Sequence, residues 1–174
     1  MMVRNGDFKG LTLIAVALIV ATVLALIIWL IPGPLLIWNA SKSIPIGWYL
    51  VEHHQPKLRE IAVVKLDDWS ELYAASRGYL PEKVWLLKPV AAQFPAVVCR
   101  FGRHVFIDGK LVARARIFDS RKRILPRWKG CHTLNFDEVF LIARPSDSFD
   151  GRYFGPVKLS QVIGVAHRVH FPFE

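Results

Sequence analysis

The sequence lacks the signatures of several common hydrolases and metalloproteins. It contains neither G-x-S-x-G, the nucleophile elbow of α/β-hydrolases, nor H-E-x-x-H, the zinc motif of metalloproteases. Its 174 residues include only two cysteines, whose spacing does not suit a zinc site. We therefore expect neither a metal nor a cofactor.

Charge, proline and glycine are all absent from residues 11–31. At about 1.5 Å per residue, a helix of this length matches the roughly 30 Å hydrocarbon core of a bilayer. A cleaved signal peptide has a shorter apolar core of about 7–15 residues and small residues at its cleavage site, whereas Pro32-Gly33-Pro34 follows here. The run predicts an uncleaved transmembrane anchor, with a buried core helix as the alternative.

The flanks of this run differ in charge. Arg4, Lys9 and the amino terminus outweigh Asp7 before it, and residues 32–41 carry no charge. The positive-inside rule then predicts that residues 1–10 lie in the cytoplasm. Residues 33–174, enough for a single core, would form one domain on the outer side of the membrane.

Cys99 and Cys131 both fall in this outer part. An even number of cysteines in an oxidising compartment favours a disulfide between them, and two buried free thiols are the alternative.

Short segments rich in β-branched and aromatic residues dominate the outer domain. We predict strands at 60–66, 84–92, 96–101, 104–118, 138–144 and 162–171. Asp108-Gly109 predicts a tight hairpin turn. One helix is expected over 67–78, with Asp67 or Asp68 as its N-cap and Gly78 at its end. Helices do not alternate with strands, which predicts a mainly β, barrel-like domain.

The segment NASKSIPIGWY, residues 39–49, alternates between polar or small residues and largely apolar ones. In an extended chain, residues two apart lie on the same face. The polar and small face carries Asn39, Ser41, Ser43, Pro45, Gly47 and Tyr49. We interpret this face as a functional site, because a plain buried strand needs no such order.

A serine becomes a nucleophile when a base takes its proton and donors hold the oxyanion. The six histidines have the pattern of ordinary surface or strand residues: His53, His54, His104, His132, His167 and His170. The sequence leaves a serine–histidine–acid triad open but gives no sign of one.

Lys88 is the better candidate for the base, because apolar residues surround it at 84–87 and 89–92. Desolvation favours the neutral amine, and a shift of the lysine pKa from about 10.4 to about 8 takes roughly 3 kcal/mol. The alternative is a strand lysine whose ammonium group reaches water.

Four segments resemble, in the same order, motifs of the TraF-type conjugative transfer signal peptidases, which belong to the signal peptidase I (S26) family of serine–lysine proteases. N-x-S-x-S-x-P-x-G-x-Y at 39–49 resembles the nucleophile motif. Residues 77–92 resemble the segment that carries the lysine base, and 97–113 the segment after it. Residues 130–157 resemble the closing box, with the core S-x-D-S-R-Y-F/W-G. The likeness covers nearly the whole outer domain.

The resemblance implies roles for individual residues. Ser43 would be the nucleophile and Lys88 the general base. The oxyanion would be held by the Ser43 backbone N–H and the Ser41 hydroxyl. Pro45 and Gly47 would shape the turn that presents Ser43.

The closing box would supply supporting residues. Ser148 would orient Lys88, while Asp150 and Arg152 would form an ion pair, the alternative being an ordinary loop salt bridge. Two positions depart from the family pattern. The family's Pro-Gly-Asp turn reads Gln-Phe-Pro-Ala at 93–96, and the second serine of the box is Gly151.

The implied function is a membrane-anchored serine endopeptidase of the bacterial inner membrane, with its catalytic domain in the periplasm. It would remove a signal or terminal peptide from an exported precursor, a conjugative pilin, with or without joining of the new ends into a circle. Its other partners would be the lipid bilayer and components of a conjugation or type IV secretion apparatus. Alternatives are a general signal peptidase I and a non-catalytic tethered component of such a complex.

Two further expectations concern binding. A substrate strand could add to an extended segment at 41–46, whose shallow pockets would select small residues. All but two of the 23 Lys and Arg residues follow residue 33, which fits anionic lipid headgroups rather than nucleic acid outside the membrane. The basic segment 116–129 is interpreted as a solvated loop.

Overall fold

The computed structural model of the chain describes residues 6–30 and 33–170. The chain divides into two units, residues 1–34 and residues 35–174. In the first unit, the 25-residue helix α1 spans Gly6–Leu30. Its apolar side chains from Leu11 to Leu26 are exposed to solvent.

Over the described residues, no helix combines the length and the apolarity that crossing a membrane requires. The predicted anchor at 11–31 is therefore not confirmed. Ile31 of that span lies outside the described residues, as do the side chains of 27–29 and residues 1–5 of the predicted cytoplasmic segment.

Two antiparallel sheets form the second unit. In chain order, the strands are β1 (Leu36–Asn39), β2 (Gly47–Glu52), β3 (Ile61–Val64), β4 (Leu86–Gln93), β5 (Val97–Phe101), β6 (His104–Ile107), β7 (Lys110–Arg114), β8 (Gly130–Thr133), β9 (Glu138–Leu141), β10 (Val157–Lys158) and β11 (Val162–Arg168). The larger sheet has the order β1-β2-β11-β3-β4-β9-β10, and the smaller has β7-β6-β5-β8. Helices α2 (Asp68–Arg77) and α3 (Gly151–Phe154) and a 3₁₀ turn at Leu159–Gln161 complete the unit, so the mainly β prediction is confirmed.

The predicted strands correspond to β3, β4, β5, the β6–β7 hairpin, β9 and β11. Asp108 and Gly109 form the hairpin turn with φ of 49° and 76°, as a type I′ turn requires. Strand β9 is shorter than predicted, because the N–H of Ala143 leaves the sheet and donates to the Asp150 carboxylate at 3.0 Å. Phe171 of the last predicted strand lies outside the described residues.

Helix α2 follows its predicted start and stop signals. The Asp67 carboxylate accepts a hydrogen bond from the Ser70 N–H at 2.8 Å, which satisfies one of the free donors at the helix start. Gly78 ends the helix with φ of 71°, a conformation that glycine adopts without a steric penalty.

Residues 40–46 do not form the extended strand that their alternation predicted. Asn39 ends β1 and lies opposite Gly47, the first residue of β2, so 40–46 is the loop that joins a hairpin. The Asn39 side chain donates to three backbone oxygens of this loop, which competes with a strand ladder. The predicted extended conformation of 41–46, to which a substrate strand would add, is therefore wrong.

The centre of the larger sheet is its most buried part. Strand β9 is buried at every position, and β3 at three of its four. Strand β4 lies between them, hydrogen-bonded to β3 on one side and to β9 on the other. A polar side chain on β4 therefore has little access to water.

Strands β5 and β8 are linked covalently as well as by hydrogen bonds. Cys99 and Cys131 lie directly opposite each other in the register and form a disulfide across 32 positions of the chain.

Replacement of both cysteines by serine should lower the free energy of unfolding by about 3–4 kcal/mol, because the unfolded chain loses a closed loop of that length. Urea denaturation monitored by tryptophan fluorescence measures this difference. Wild type denatured with a thiol reductant is the matched control, and should unfold at the same urea concentration as the variant. Equal stability of the oxidised wild type and the variant would contradict the prediction.

Candidate active site

Ser43 lies on the loop between β1 and β2, half-buried, with Ser41 two residues earlier on the same loop. Their hydroxyl oxygens are 2.8 Å apart, within hydrogen-bonding distance. The two serines that the alternating pattern singled out are therefore adjacent, although a tight loop rather than a strand brings them together.

Lys88 is the third residue of β4 and lies opposite Ala62 of β3. Only 4% of its surface is exposed. Its Nζ donates to the Ser148 hydroxyl oxygen at 2.8 Å. The lysine and the serine predicted to orient it are thus in direct contact.

Burial lowers the pKa of Lys88 from 10.5 to about 8, because the ammonium form loses its hydration. The negative charge of Asp150 opposes this shift, and the positive charge of Arg152 adds to it. With such a pKa, about one molecule in ten carries a neutral Lys88 amine at pH 7, against fewer than one in a thousand for an exposed lysine.

The predicted ion pair is present and is not an ordinary surface salt bridge. Asp150 is fully buried, and its carboxylate lies 3.2 Å from Nη1 of Arg152. It also accepts hydrogen bonds from the N–H groups of Ala143 and Arg152, the latter in the first turn of α3. These bonds satisfy much of the carboxylate's hydrogen-bonding capacity, as a buried charge requires.

Arg152 holds the loop that carries Ser148. Its guanidinium donates to the backbone oxygens of Ala143, Pro145 and Ser148. Its own backbone oxygen accepts a hydrogen bond from the Arg100 side chain, which ties this loop to β5. The ion pair therefore fixes the position of Ser148 and, through it, that of the Lys88 amine.

A cavity of about 310 Å³ brings the predicted residues together. Ser41, Ser43, Lys88 and Ser148 all line it. Its other walls are Lys42, Tyr79, Leu80, Leu86, Arg116, Asp119, Ser120, Leu125, Pro145, Asp147, Phe149 and Tyr153. In the part of the chain that the structure describes, no histidine lines this cavity, so a triad has no base here.

Ser43 and Lys88 share the cavity but are not hydrogen-bonded to each other within residues 33–170. Ser43 pairs with Ser41, and Lys88 pairs with Ser148. Catalytic hydrogen bonds often form only when substrate is bound, so this separation is compatible with a nucleophile and its base.

The basic segment 116–129 is more than the solvated loop that was predicted. Asp119 accepts hydrogen bonds from the Tyr79 hydroxyl at 2.6 Å and from Nε of Arg123 at 2.7 Å, and thereby forms one wall of the cavity. Tyr79 and Asp119 are 40 positions apart, so no local pattern in the sequence indicates this contact.

The two departures from the family pattern lie in different surroundings. A Cβ atom on Gly151 would lie 2.7 Å from the Leu141 backbone oxygen and 2.8 Å from Cε2 of Phe140, so no side chain fits at this position. The Gln-Phe-Pro-Ala segment at 93–96 still forms a turn, in which the Ala96 N–H donates to the Gln93 oxygen at 2.9 Å.

Pro45 lies in the loop that carries Ser43, and Gly47 follows directly after this loop. The Pro45 backbone oxygen accepts hydrogen bonds from the Asn39 amide and the Tyr49 hydroxyl. Gly47 starts β2 with φ of 146°, a conformation that other residues rarely adopt.

A group of three residues whose side chains could bind a metal ion lies outside the cavity. Glu52, His54 and His167 place one potential ligand atom each within 4.8 Å of the others, the only such group of three found among the described residues. All three are exposed, and none lines the cavity.

The chain is similar to known proteins over most of its length. The family model described as "Signal peptidase, peptidase S26" matches residues 9–171. A plasmid transfer protein TraF of Escherichia coli is 33% identical over 143 residues, which cover 75% of this chain and 80% of that protein. A second Escherichia coli protein of the same name is 31% identical over 136 residues, which cover 71% of this chain and 76% of that protein.

Gly151→Ser restores the usual residue of the family motif. It should lower the free energy of unfolding by about 1–3 kcal/mol, because the new Cβ would clash with the Leu141 backbone oxygen, which cannot shift without distorting the sheet. Urea denaturation measures the change. Gly10→Ala is the control, since a Cβ there meets nothing within 4 Å. A serine variant as stable as wild type would contradict the prediction.

Proposed function

The chain belongs to the S26 family of signal peptidases, and we propose that it is a serine endopeptidase in which Ser43 and Lys88 form the catalytic dyad. The main support for this dyad is the burial, the lowered pKa and the position of the Lys88 amine. Its amine is buried, has a pKa lowered to about 8 and lies in the same cavity as the Ser43 hydroxyl.

In this mechanism the neutral Lys88 amine takes the proton of Ser43 as the Ser43 oxygen attacks the scissile carbonyl carbon. The Lys88 ammonium then gives that proton to the departing amine, which leaves the new carboxyl end esterified to Ser43. Water activated by Lys88, or another amine, resolves this ester. Ser43 has to turn its hydroxyl from Ser41 toward Lys88 for the first step.

The tetrahedral intermediate needs donors for its oxyanion. We assign this role to the Ser43 backbone N–H and the Ser41 hydroxyl. The 2.8 Å contact between the two hydroxyls supports the assignment, since it places the Ser41 donor beside the oxygen that attacks.

A non-catalytic role fits Lys88 poorly. A lysine whose pKa falls from 10.5 to about 8 costs the folded protein about 3 kcal/mol at neutral pH, relative to an exposed lysine. An apolar residue at this position would avoid that cost. The presence of a buried lysine here is explained if its neutral amine is the base.

The substrate that we propose is an exported precursor of a conjugation apparatus, a prepilin-like protein. Support comes from two plasmid transfer proteins that align with 71–75% of this chain, which favours the specialised role over a general signal peptidase I. Resolution of the ester by water gives a linear product. Attack by the pilin's own amino terminus gives a circle.

We further propose that residues 11–31 anchor the protein in the bacterial inner membrane in a single pass, with the catalytic domain in the periplasm. The uncharged 11–31 run and the basic residues before it support the anchor and its direction. The disulfide between Cys99 and Cys131 supports an oxidising compartment for the domain. Ser43 follows the run by only twelve positions, which suits a precursor held by its own apolar segment.

Co-expression of the full chain with a candidate prepilin in a bacterial membrane tests the dyad by intact mass. Wild type should shorten the precursor, whereas Ser43→Ala and Lys88→Met should not, because one lacks the nucleophile and the other lacks the base. A product lighter by one further water identifies cyclisation. Ser76→Ala and Lys65→Met, at exposed positions, are the matched controls and should cleave as wild type does.

Cleavage by Ser43→Ala at the wild-type rate would refute the dyad. Loss of cleavage in both exposed controls would instead show that the assay reports folding or expression.

A further inference from the structure

A buried amide lies directly behind the two serines. Asn39, the last residue of β1, is 7% exposed and does not line the cavity. The two N–H groups of its Nδ2 share three acceptors, the backbone oxygens of Ser41 at 2.9 Å, Ile44 at 3.2 Å and Pro45 at 3.0 Å. These three acceptors determine the orientation of the amide, because the reversed amide would place its oxygen against three other oxygens. The Asn39 oxygen therefore faces Ser41.

The orientation of the amide determines the direction of the serine hydroxyls. The Asn39 oxygen accepts from the Ser41 N–H at 3.2 Å and from the Ser41 hydroxyl at 2.9 Å. An amide oxygen carries no proton, and a hydroxyl has only one to donate. Because Ser41 donates to Asn39, the 2.8 Å bond between the two serines has to be donated by Ser43. At rest the order of donation is Ser43 to Ser41 to Asn39.

We propose that Asn39 is a positioning residue that holds Ser41 ready as the oxyanion donor. This inference rests on the proposed function. When Lys88 takes the Ser43 proton, Ser41 no longer receives a hydrogen bond from Ser43, and its own hydroxyl turns from Asn39 to the oxyanion. Asn39 keeps its bond to the Ser41 N–H and its three bonds to the loop, so the Ser41 backbone stays in place while the hydroxyl turns. Asn39 acts through Ser41 and does not touch the substrate.

Tyr49 provides a matched control for the stiffness of the loop. Its hydroxyl donates to the Pro45 backbone oxygen at 2.8 Å, the same atom that accepts from Asn39. No bond to either serine is formed by Tyr49 among the described residues. Tyr49→Phe therefore loosens the same loop without changing the contacts of Ser41.

A double-mutant cycle on the full chain in detergent separates these roles. The kcat and KM for a prepilin-derived peptide are measured for Asn39→Ala, Ser41→Ala and the double variant, and thermal unfolding checks each fold. Asn39→Ala should lower kcat about 10- to 100-fold, a substantial part of what loss of one oxyanion donor costs, with KM changed less than about threefold. In the Ser41→Ala background the same change should lower kcat by less than about threefold.

Tyr49→Phe should lower kcat by the same factor in both backgrounds. An Asn39→Ala loss that is equally large with and without Ser41 would overturn the proposal and leave Asn39 a structural residue of the loop. If the alanine variant does not fold, Asn39→Ser replaces it in the same double-mutant cycle, because serine keeps one polar atom in the buried position. Failure of the proposed function gives a different result from failure of the Asn39 proposal. In that case wild type and Ser43→Ala would cleave the substrate equally.

Discussion

The burial of the Lys88 amine is the constraint on which the rest of the site depends. A lysine in water is protonated at neutral pH and cannot accept a proton, so its strand has to exclude water. Strand β4 does so because it lies between β3 and β9, the most buried strands of the larger sheet. The ion pair of Asp150 and Arg152 acts on Lys88 in opposite directions, since Asp150 favours the protonated amine and Arg152 disfavours it.

The polar groups of the site form two separate networks that meet across the cavity. One is held by Asp150 and Arg152 and positions Ser148 and Lys88. The other is held by Asn39 and positions Ser41 and Ser43. Each network is anchored to the backbone by a buried side chain. The proposed nucleophile lies on the β1–β2 loop and the proposed base on β4, and a bound substrate can bring their hydrogen bonds into line.

Local patterns in the sequence correctly predicted the features that depend on neighbouring residues, namely helix ends and a hairpin turn. The cap at Asp67, the end at Gly78 and the turn at Asp108-Gly109 depend on neighbouring residues, and each is present. The alternation at 39–49 predicted an extended chain throughout, which is wrong for 40–46, because the Asn39 side chain replaces the ladder with bonds to its own loop.

Local sequence patterns could not predict contacts between residues that are distant in the chain. The cavity wall at Asp119 depends on Tyr79, and the glycine at 151 depends on the backbone of Leu141.

A direct measurement of the Lys88 pKa tests the central claim, that burial keeps part of the Lys88 amine neutral. The Cε and Hε signals of Lys88 are followed by NMR from pH 6 to 12 in protein with ¹³C-labelled lysine, and Lys88→Met identifies the signal. An inflection near pH 8 is the predicted result. An inflection near 10.4, the value of an exposed lysine, would contradict the account.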